Sequence, residues 1–339
     1  MAAWEKKGTF RMDDPISLQK LAEQTGRNKS TISRALNHCG GVDAQTAAEI
    51  RRLAKEQGYT TRQTGRAAPF CGVVLPENPA YYWGEAQRQL YAVLRDGKVP
   101  FRAALYPRLT DQEDFFSALE TMMARSPKVL VVSAPAQPEV EQKLRDIAQR
   151  IPVFLLSERM EGINLFYFGS DPERDGALLG QTFREAYPDR KRLLILDSVQ
   201  DGARTNAFLG ECFGVQIAGR IHLPIWRPND AAILARRIAS DVKEPFDCGY
   251  CSTGSLPSAC LALDKLKTST EIVCIGYENP PGNARFIASG RIGLVLCQDI
   301  TGQSKQCAQA LVTLYRQRCF PEGKYHYIPS RILDASGER

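Results

Sequence analysis

Histidine is scarce in this chain of 339 residues: there are three, at positions 38, 222 and 326, too far apart for any zinc-ligand spacing. No apolar run reaches the ~20 residues that a membrane helix needs. Low-complexity tracts are missing too. So are the motifs that fix a catalytic or cofactor group at a set spacing: there is no GxSxG elbow, no GxxxxGKS/T loop, no GxGxxG after a strand and no HExxH. These absences leave an enzyme as the poorest reading, with no catalytic residue, cofactor or metal to name. The first fifteen residues, MAAWEKKGTFRMDDP, lack the apolar stretch and small-residue cleavage site of a secretory signal, so a cytoplasmic protein is expected. The final YIPSRILDASGER carries no heptads for a coiled coil.

What is present is the composition of an ordinary folded protein, 43% hydrophobic and 24% charged, in a chain long enough for two or three compact units. Cys71, Cys248, Cys274 and Cys297 lie in strand-like apolar runs, and Cys212 and Cys260 in helix-like ones, so buried reduced thiols are expected. The one CxxC, Cys248 to Cys251 in FDCGYC, would point its two sulfurs to opposite faces of a strand. Charge is placed unevenly. The formal net charge is +6, and Ile16 to Arg66 alone holds nine Lys or Arg against four Asp or Glu. Such an excess at one end points to a polyanionic partner there, or to no more than solvated charge.

That basic segment reads as three short helices. Ser17 can cap a first, with Leu18, Leu21 and Ala22 inward, ended by Thr25-Gly26. Asn28 can cap a second, whose apolar side is Ile32, Ala35 and Leu36. After HCGGV, Asp43 can cap a third, with Ala47, Ile50, Leu53 and Ala54 inward and Gly58-Tyr59 closing it. Two helices on a tight glycine turn, followed by a third, describe a helix-turn-helix unit. In that geometry the second helix enters the major groove of double-stranded DNA. Lys29 and Ser30 would reach base edges, and Arg34 one turn on can pair with guanine O6 and N7. Thr31, Ser33 and Asn37 have the reach for phosphate oxygens, which set register. The competing reading is a polar, solvated helix face.

The stretch SLQKLAEQTGRNKSTISRALNHCGGVDAQTAAEIRRLAKEQGY, Ser17 to Tyr59, resembles the DNA-binding headpiece of the lactose-repressor (LacI/GalR) family. The family pattern L-x-x-V/L-A-x-x-A/T-G is met by Leu18 to Gly26, and T-V/I-S-R-x-L/V-N by Thr31 to Asn37. The resemblance implies base contacts from Lys29, Ser30 and Arg34 and phosphate contacts from Thr31, Ser33 and Asn37, in a headpiece over residues 16–60. One departure follows. The family carries a hinge helix whose leucine wedges into the minor groove, and this chain has TTRQTGRAAPF instead, with Gly65, Pro69 and no such leucine. Residues 61–70 therefore read as an irregular linker on an operator that is bent little. Arg62 and Arg66 are left to meet phosphate or minor groove.

From Cys71 the pattern alternates. CGVVL, RAALY, KVLVVS and PVFLL read as buried strands, with amphipathic helices near 84–96, 111–125 and 137–150 between them. After FYFG the cycle repeats: helix 173–187, RLLIL, a helix from about 203, RIHL, helix 229–241, FDCGYC, helix 255–266 and EIVCIG. Strands alternating with helices imply parallel sheets covered on both faces. The break near Phe166 to Asp171 implies two α/β lobes, whose ligands bind beyond the carboxyl ends of the strands.

This part resembles the family's effector core, a type I periplasmic-binding-protein-like fold. GSDPERDGALLGQ is similar to the segment entering the second lobe, GARTNAFLG to the arginine-bearing helix start, VCIGYEN to the G-Y/F-D/E strand end, and GRIGLVLCQD to the return strand of sugar binders. The resemblance implies lobe 1 over 71–167 plus about 298–328, and lobe 2 over about 168–297 plus 329–333. It implies ligand contacts from Arg204, Glu278, Gln298 and Asp299. Their planar groups suit vicinal hydroxyls. Tyr82 and Trp83, and Trp226 further on, offer aromatic faces to a sugar ring or pack within the lobes. Ser133 and Arg159, at the ends of the third and fourth strands, could complete the ring. Where the family shows an Asn-Asp pair the chain has Ser252-Thr253, leaving Ser252 as a hydroxyl donor. Arg204 and Glu278 read alternatively as an ion pair across the cleft.

The reading that joins these parts is a ligand-responsive DNA-binding transcription regulator, a repressor by resemblance. It would sense a sugar-like molecule between two lobes and bind operator DNA as a homodimer, because one three-helix headpiece reads one half-site. The alternative is a cytoplasmic solute-binding sensor without sequence-specific DNA binding.

Overall fold

Two units make up the chain, Met1–Ala68 and Pro69–Arg339. A computed structural model describes residues 18–36, 42–56, 69–77, 81–108, 111–197, 202–222, 231–266 and 271–338. Ser17, Asn37, Gly58, Tyr59, the linker residues 61–68 and Trp226 lie outside these.

The first unit holds α1 (Leu18–Thr25), α2 (Lys29–Leu36) and α3 (Ala44–Glu56). Gly26, at φ +64°, ends α1, and Arg27 N–H reaches back to the Ala22 carbonyl at 3.1 Å. That is the six-to-one closure of a glycine-ended helix, which a side chain at residue 26 would strain. Asn28 caps α2 and Asp43 caps α3, each side chain accepting from the backbone N–H three residues on, Thr31 and Thr46, at 2.8 Å. Leu21, Ala22, Ile32, Ala35, Leu36, Ala47, Ile50 and Ala54 form one buried cluster, with Val42 and Leu53 at its margin. Every helix contributes to it, and none of the three buries an apolar stripe by itself.

The second unit contains two sheets. Sheet A is built from β1 (Cys71–Pro76), β2 (Phe101–Tyr106), β3 (Val129–Val132), β4 (Val153–Leu156), β5 (Leu165–Gly169) and β11 (Tyr325–Tyr327), in the order β11-β5-β4-β3-β1-β2, all parallel. Helices α4 (Tyr81–Asp96) and α12 (Ile300–Gln317) cover one face, and α5 (Gln112–Met123) and α6 (Pro138–Ala148) the other.

Sheet B holds β6 (Arg192–Asp197), β7 (Gln216–His222), β8 (Cys248–Cys251), β9 (Val273–Tyr277), β10 (Ile292–Cys297) and the antiparallel edge pair β12 (Arg331–Asp334) and β13 (Gly337–Glu338). Its order is β13-β12-β10-β9-β8-β6-β7. Helices α7 (Pro172–Ala186) and α8 (Gly202–Glu211) cover one face; α9 (Ala231–Asp241), α10 (Leu256–Leu263) and α11 (Ala284–Ala288) cover the other. The fold is the two-lobed α/β architecture of periplasmic binding proteins, and the chain passes between sheets at residues 170–171, 298–299 and 328–330.

Two details differ from the sequence reading. RAALY belongs to an edge strand with exposed positions, because β2 pairs only with β1. The lobe bound read at 167/168 comes slightly later: LFYFG is the fifth strand of sheet A, and the crossing at 170–171 lies within the break expected near Phe166 to Asp171. The nine described cysteines are reduced; all but Cys319 are buried. Cys248 and Cys251 join different layers, on opposite faces of sheet B, as a three-residue offset along a strand requires. Among the described residues no helix is long and apolar enough to cross a membrane.

On β11, His326 lies flat against Phe168, ring centroids 4.4 Å apart, and burial holds its pKa below the usual 6.5. A group that binds protons less readily folded than unfolded costs stability as pH falls below its unfolded value, and costs nothing above it. The wild-type melting temperature should therefore drop more steeply than that of His326→Phe between about pH 7 and pH 5. Circular-dichroism melts across that range check this; parallel curves would mean the imidazole stays neutral in both states.

Candidate functional site

The outward face of α2 is the first candidate. Lys29 and Arg34 are exposed, and neither has an ion-pair partner among the described residues. Ser30 is exposed as well, but its hydroxyl donates to Asn28 Oδ1 at 2.7 Å, and the Thr31 hydroxyl donates to the same oxygen at 2.8 Å. Their protons are engaged in the cap, so in this state they can offer only lone pairs. Ser33 is half-buried, and Asn37 lies outside the described residues. The two cations are thus the strongest outward-facing donors of the predicted set.

The second candidate is where the strands of both sheets end. Tyr82, in the first turn of α4, donates to Gln303 Oε1 on α12 at 2.9 Å and shares a short hydrogen bond with the Ser157 hydroxyl. Gln303 Nε2 donates to Gln298 Oε1 at 3.1 Å, and Gln298 Nε2 donates in turn to Glu278 Oε1. This chain of polar groups runs from β4 and α4 of lobe 1, through the 298–299 crossing, to the end of β9 in lobe 2. Both of its ends are backbone outliers: Ser157 stands at φ +77° and Glu278 at φ +66°, each the first residue after its strand. A left-handed residue other than glycine costs on the order of 1–3 kcal/mol and persists where its surroundings over-determine it. Around Glu278 they do, since its N–H bonds the Leu296 carbonyl and its carbonyl accepts from Asn283 Nδ2, both at 2.9 Å. Burial, then the nearby Glu278 charge, push the Tyr82 hydroxyl well above its usual pKa, so it stays a donor.

Two predicted hydroxyls sit at matching places in the lobes. Ser133 follows β3 and Ser252 follows β8; they are 1% and 0% exposed, and neither Oγ has a hydrogen-bond partner among the described residues. A buried hydroxyl without a partner costs about 1–3 kcal/mol. Arg204, in the first turn of α8, lies over the Tyr277 ring, its guanidinium carbon 4.4 Å from the centroid.

Three predicted contacts are engaged in packing, an ion pair or a helix cap in this structure. Trp83 is 7% exposed within the apolar layer that includes Leu90, Phe168 and Ile300, because helix α4 turns it onto sheet A while Tyr82 beside it points to the polar chain. Arg159 is committed elsewhere: it donates to both oxygens of Glu173 on α7, at 2.6 and 3.1 Å, and to the Tyr327 hydroxyl at 3.1 Å. Asp299 caps α12, its Oδ1 accepting from Gly302 N–H at 2.8 Å. With Gln298 it also borders a cavity of about 850 Å³ between α4, the start of α12 and the 328–330 crossing, alongside Glu85, Arg88, Ser330 and Arg331.

One residue was missed. Glu158, half-buried beside Arg159, acts on a second set of aromatic hydroxyls: after burial, its charge is the next largest influence raising those of Tyr106 and Tyr167, and it acts on Tyr82 as well. Only the turn at Ser157 decides which of two adjacent charged residues faces inward, and spacing does not reveal that turn.

The arrangement gathers hydroxyls, amides, carboxylates and one stacked arginine at the ends of the strands. A model of the periplasmic binding protein domain matches residues 71–318, and the chain belongs to that family. A 68-residue stretch is 37% identical to the HTH-type transcriptional regulator AglR of Rhizobium meliloti (strain 1021), spanning 18% of this chain and 19% of that protein. Among solved structures, the glucose-galactose binding protein GanP of Geobacillus stearothermophilus superposes with a TM-score of 0.69 at 15% identity, over 79% of this chain and 98% of that one. A candidate LacI transcriptional regulator of Bacteroides fragilis gives 0.65 at 14% identity, over 79% and 97%.

The stacked arginine is held by close helix packing. A Cβ on Gly176 of α7 would stand 2.2 Å from the Arg204 carbonyl oxygen, and one on Gly180 would stand 2.6 Å from that of Phe208. Gly176→Ala must therefore force α8, and Arg204 with it, away from α7. The expected loss is ~1–3 kcal/mol in urea denaturation, whereas an unchanged midpoint would mean the two helices part without cost.

Proposed function

We propose that this protein is a ligand-responsive DNA-binding transcription regulator of the LacI/GalR kind, acting in the cytoplasm as a homodimeric repressor and sensing a sugar or polyol between its lobes. The observation that carries the reading is the union of two features in one chain. Helix α2 presents Lys29 and Arg34 outward from a closed three-helix core, and the periplasmic-binding-protein domain holds Ser133 and Ser252 as buried hydroxyls awaiting partners.

Each feature suits its role. An exposed guanidinium one turn into a groove-reading helix has the fork that matches guanine O6 and N7. Buried hydroxyls, the Gln298–Glu278 pair and Tyr82 suit vicinal hydroxyls of a sugar, which would satisfy groups that water cannot reach. The headpiece, residues 16–60, would be joined by the 61–70 linker to lobes that close on the ligand, and closure would alter the spacing of two paired headpieces. No catalytic step is assigned to any residue. The AglR similarity and the regulator among the fold neighbours support the DNA-binding part, and the sugar-binding neighbours support the ligand class.

Binding to duplex DNA should weaken steeply with added salt, since each phosphate contact releases counterions. Arg34→Ala should cost ~1–3 kcal/mol in operator affinity and relax base choice at one position, read by binding to a randomised duplex library. An unchanged base preference removes Arg34 from the reading face. For the ligand, thermal-shift screening of the whole chain against D-glucose, D-galactose, D-allose, D-arabinose, D-fructose and myo-inositol should find at least one that raises the melting temperature. Ser133→Ala and Ser252→Ala should each weaken that ligand about 5- to 10-fold, the loss of one hydrogen bond worth ~1 kcal/mol. Full affinity in both variants would place the ligand elsewhere.

A further inference from the structure

Next to Gly176 stands a carboxylate to which neither DNA nor ligand recognition assigns a role. Asp175 is 3% exposed in the first turn of α7. Ser330, in the 328–330 crossing, donates its hydroxyl to Asp175 Oδ2 at 3.0 Å. The Ser170 hydroxyl, in the 170–171 crossing, stands close enough to hold the carboxyl's pKa down. Burial raises that pKa, and the charge of Arg204 is the largest influence opposing it. The same two turns of α7 and α8 touch backbone to backbone at Gly176 and Arg204. Two of the three crossings therefore meet at one carboxylate, which lies next to the Gly176 contact with the backbone of Arg204.

Packing alone does not account for it. Well-packed apolar residues in place of a buried charge pair are often neutral or stabilising, so a carboxylate here is costly unless its direction matters. The third crossing is served separately, by Gln298 in the chain that reaches Glu278. Each crossing thus has a polar side chain tying it to the cleft wall.

We propose that Asp175 is a positioning residue that couples the cleft to the hinge, holding Arg204 on one side and the crossings at Ser170 and Ser330 on the other. A ligand that draws on Arg204 changes the charge facing Asp175, and the carboxylate passes that change to the two segments about which the lobes turn. The mechanical link needs no ligand; only its use in signalling rests on the sensor reading above.

The test measures the separation of the lobes in the full chain. Spin labels are attached through unnatural amino acids at the exposed positions Lys143 on α6 and Arg236 on α9, because Cys319 is exposed and would take thiol labels. Pulsed electron–electron resonance then gives the distance distribution without added sugar. Asp175→Asn keeps an oxygen that can accept from Ser330 but removes the charge facing Arg204. It should shift the ratio of open to closed separations about fivefold or more, the lower end of an ordinary coupling between sites. Ser330→Ala should shift it less, and the double variant no further than Asp175→Asn.

A role in stability alone would lower the melting temperature and leave the distribution in place, and that result for a folded Asp175→Asn overturns the proposal. Should that variant fail to fold, an unaltered distribution in Ser330→Ala overturns it equally. The six-sugar screen on the wild type tests the sensor reading by itself, so a shift in Asp175→Asn with no sugar bound would retain the coupling and discard the sensor.

Discussion

Parallel strands deliver their carboxyl ends to one edge of a sheet, and this constraint organises everything that bears on function in the second unit. The first residues after β3, β4, β8 and β9 are Ser133, Ser157, Ser252 and Glu278, all polar. Each still bonds the neighbouring strand through its backbone N–H, to Val74, Phe168, Leu196 and Leu296, and each stands at the carboxyl end of its strand, the edge where ligands of such sheets bind. Two sheets of this kind facing each other build a polar site from residues that are scattered through more than two hundred positions of the chain.

The energetic cost of that arrangement falls on the same residues. Ser157 and Glu278 carry left-handed backbones, and Ser133 and Ser252 carry buried hydroxyls without partners among the described residues. The sheets that hold these features are apolar on both faces, in four layers of buried side chains that supply the stability the strand ends forgo. Arg159 is paired with Glu173 and Arg220 with Asp197, and Arg204 stacks on the Tyr277 ring.

Much of this was legible from residue patterns. The three headpiece helices follow from Asn28 and Asp43 as caps, Gly26 as a stop and apolar residues at helical spacing, all local signals that act within one or two turns. Most strands and helices of the lobes follow from apolar runs alternating with amphipathic segments. The site was legible only in part, because facing is decided by single turns. Helix α4 buries Trp83 and frees Tyr82 for the polar chain; the bend at Ser157 sends Arg159 to Glu173 and leaves Glu158 near the tyrosines. Asp299 reads as a ligand group, and one of its oxygens caps α12 while the residue also borders the cavity, a double use that spacing does not reveal.

The sequence by itself determined the three N-terminal helices, their basic outer face and the α/β alternation, because these rest on periodicity and on contacts within a few residues. Tertiary structure alone decided that Tyr82, Gln303, Gln298 and Glu278 form one polar chain, and that Asp175 meets Ser330 across 155 positions. Such meetings depend on how two sheets and three crossings stack in space. No pattern along the chain encodes a distance between segments that the chain reaches only by folding back on itself.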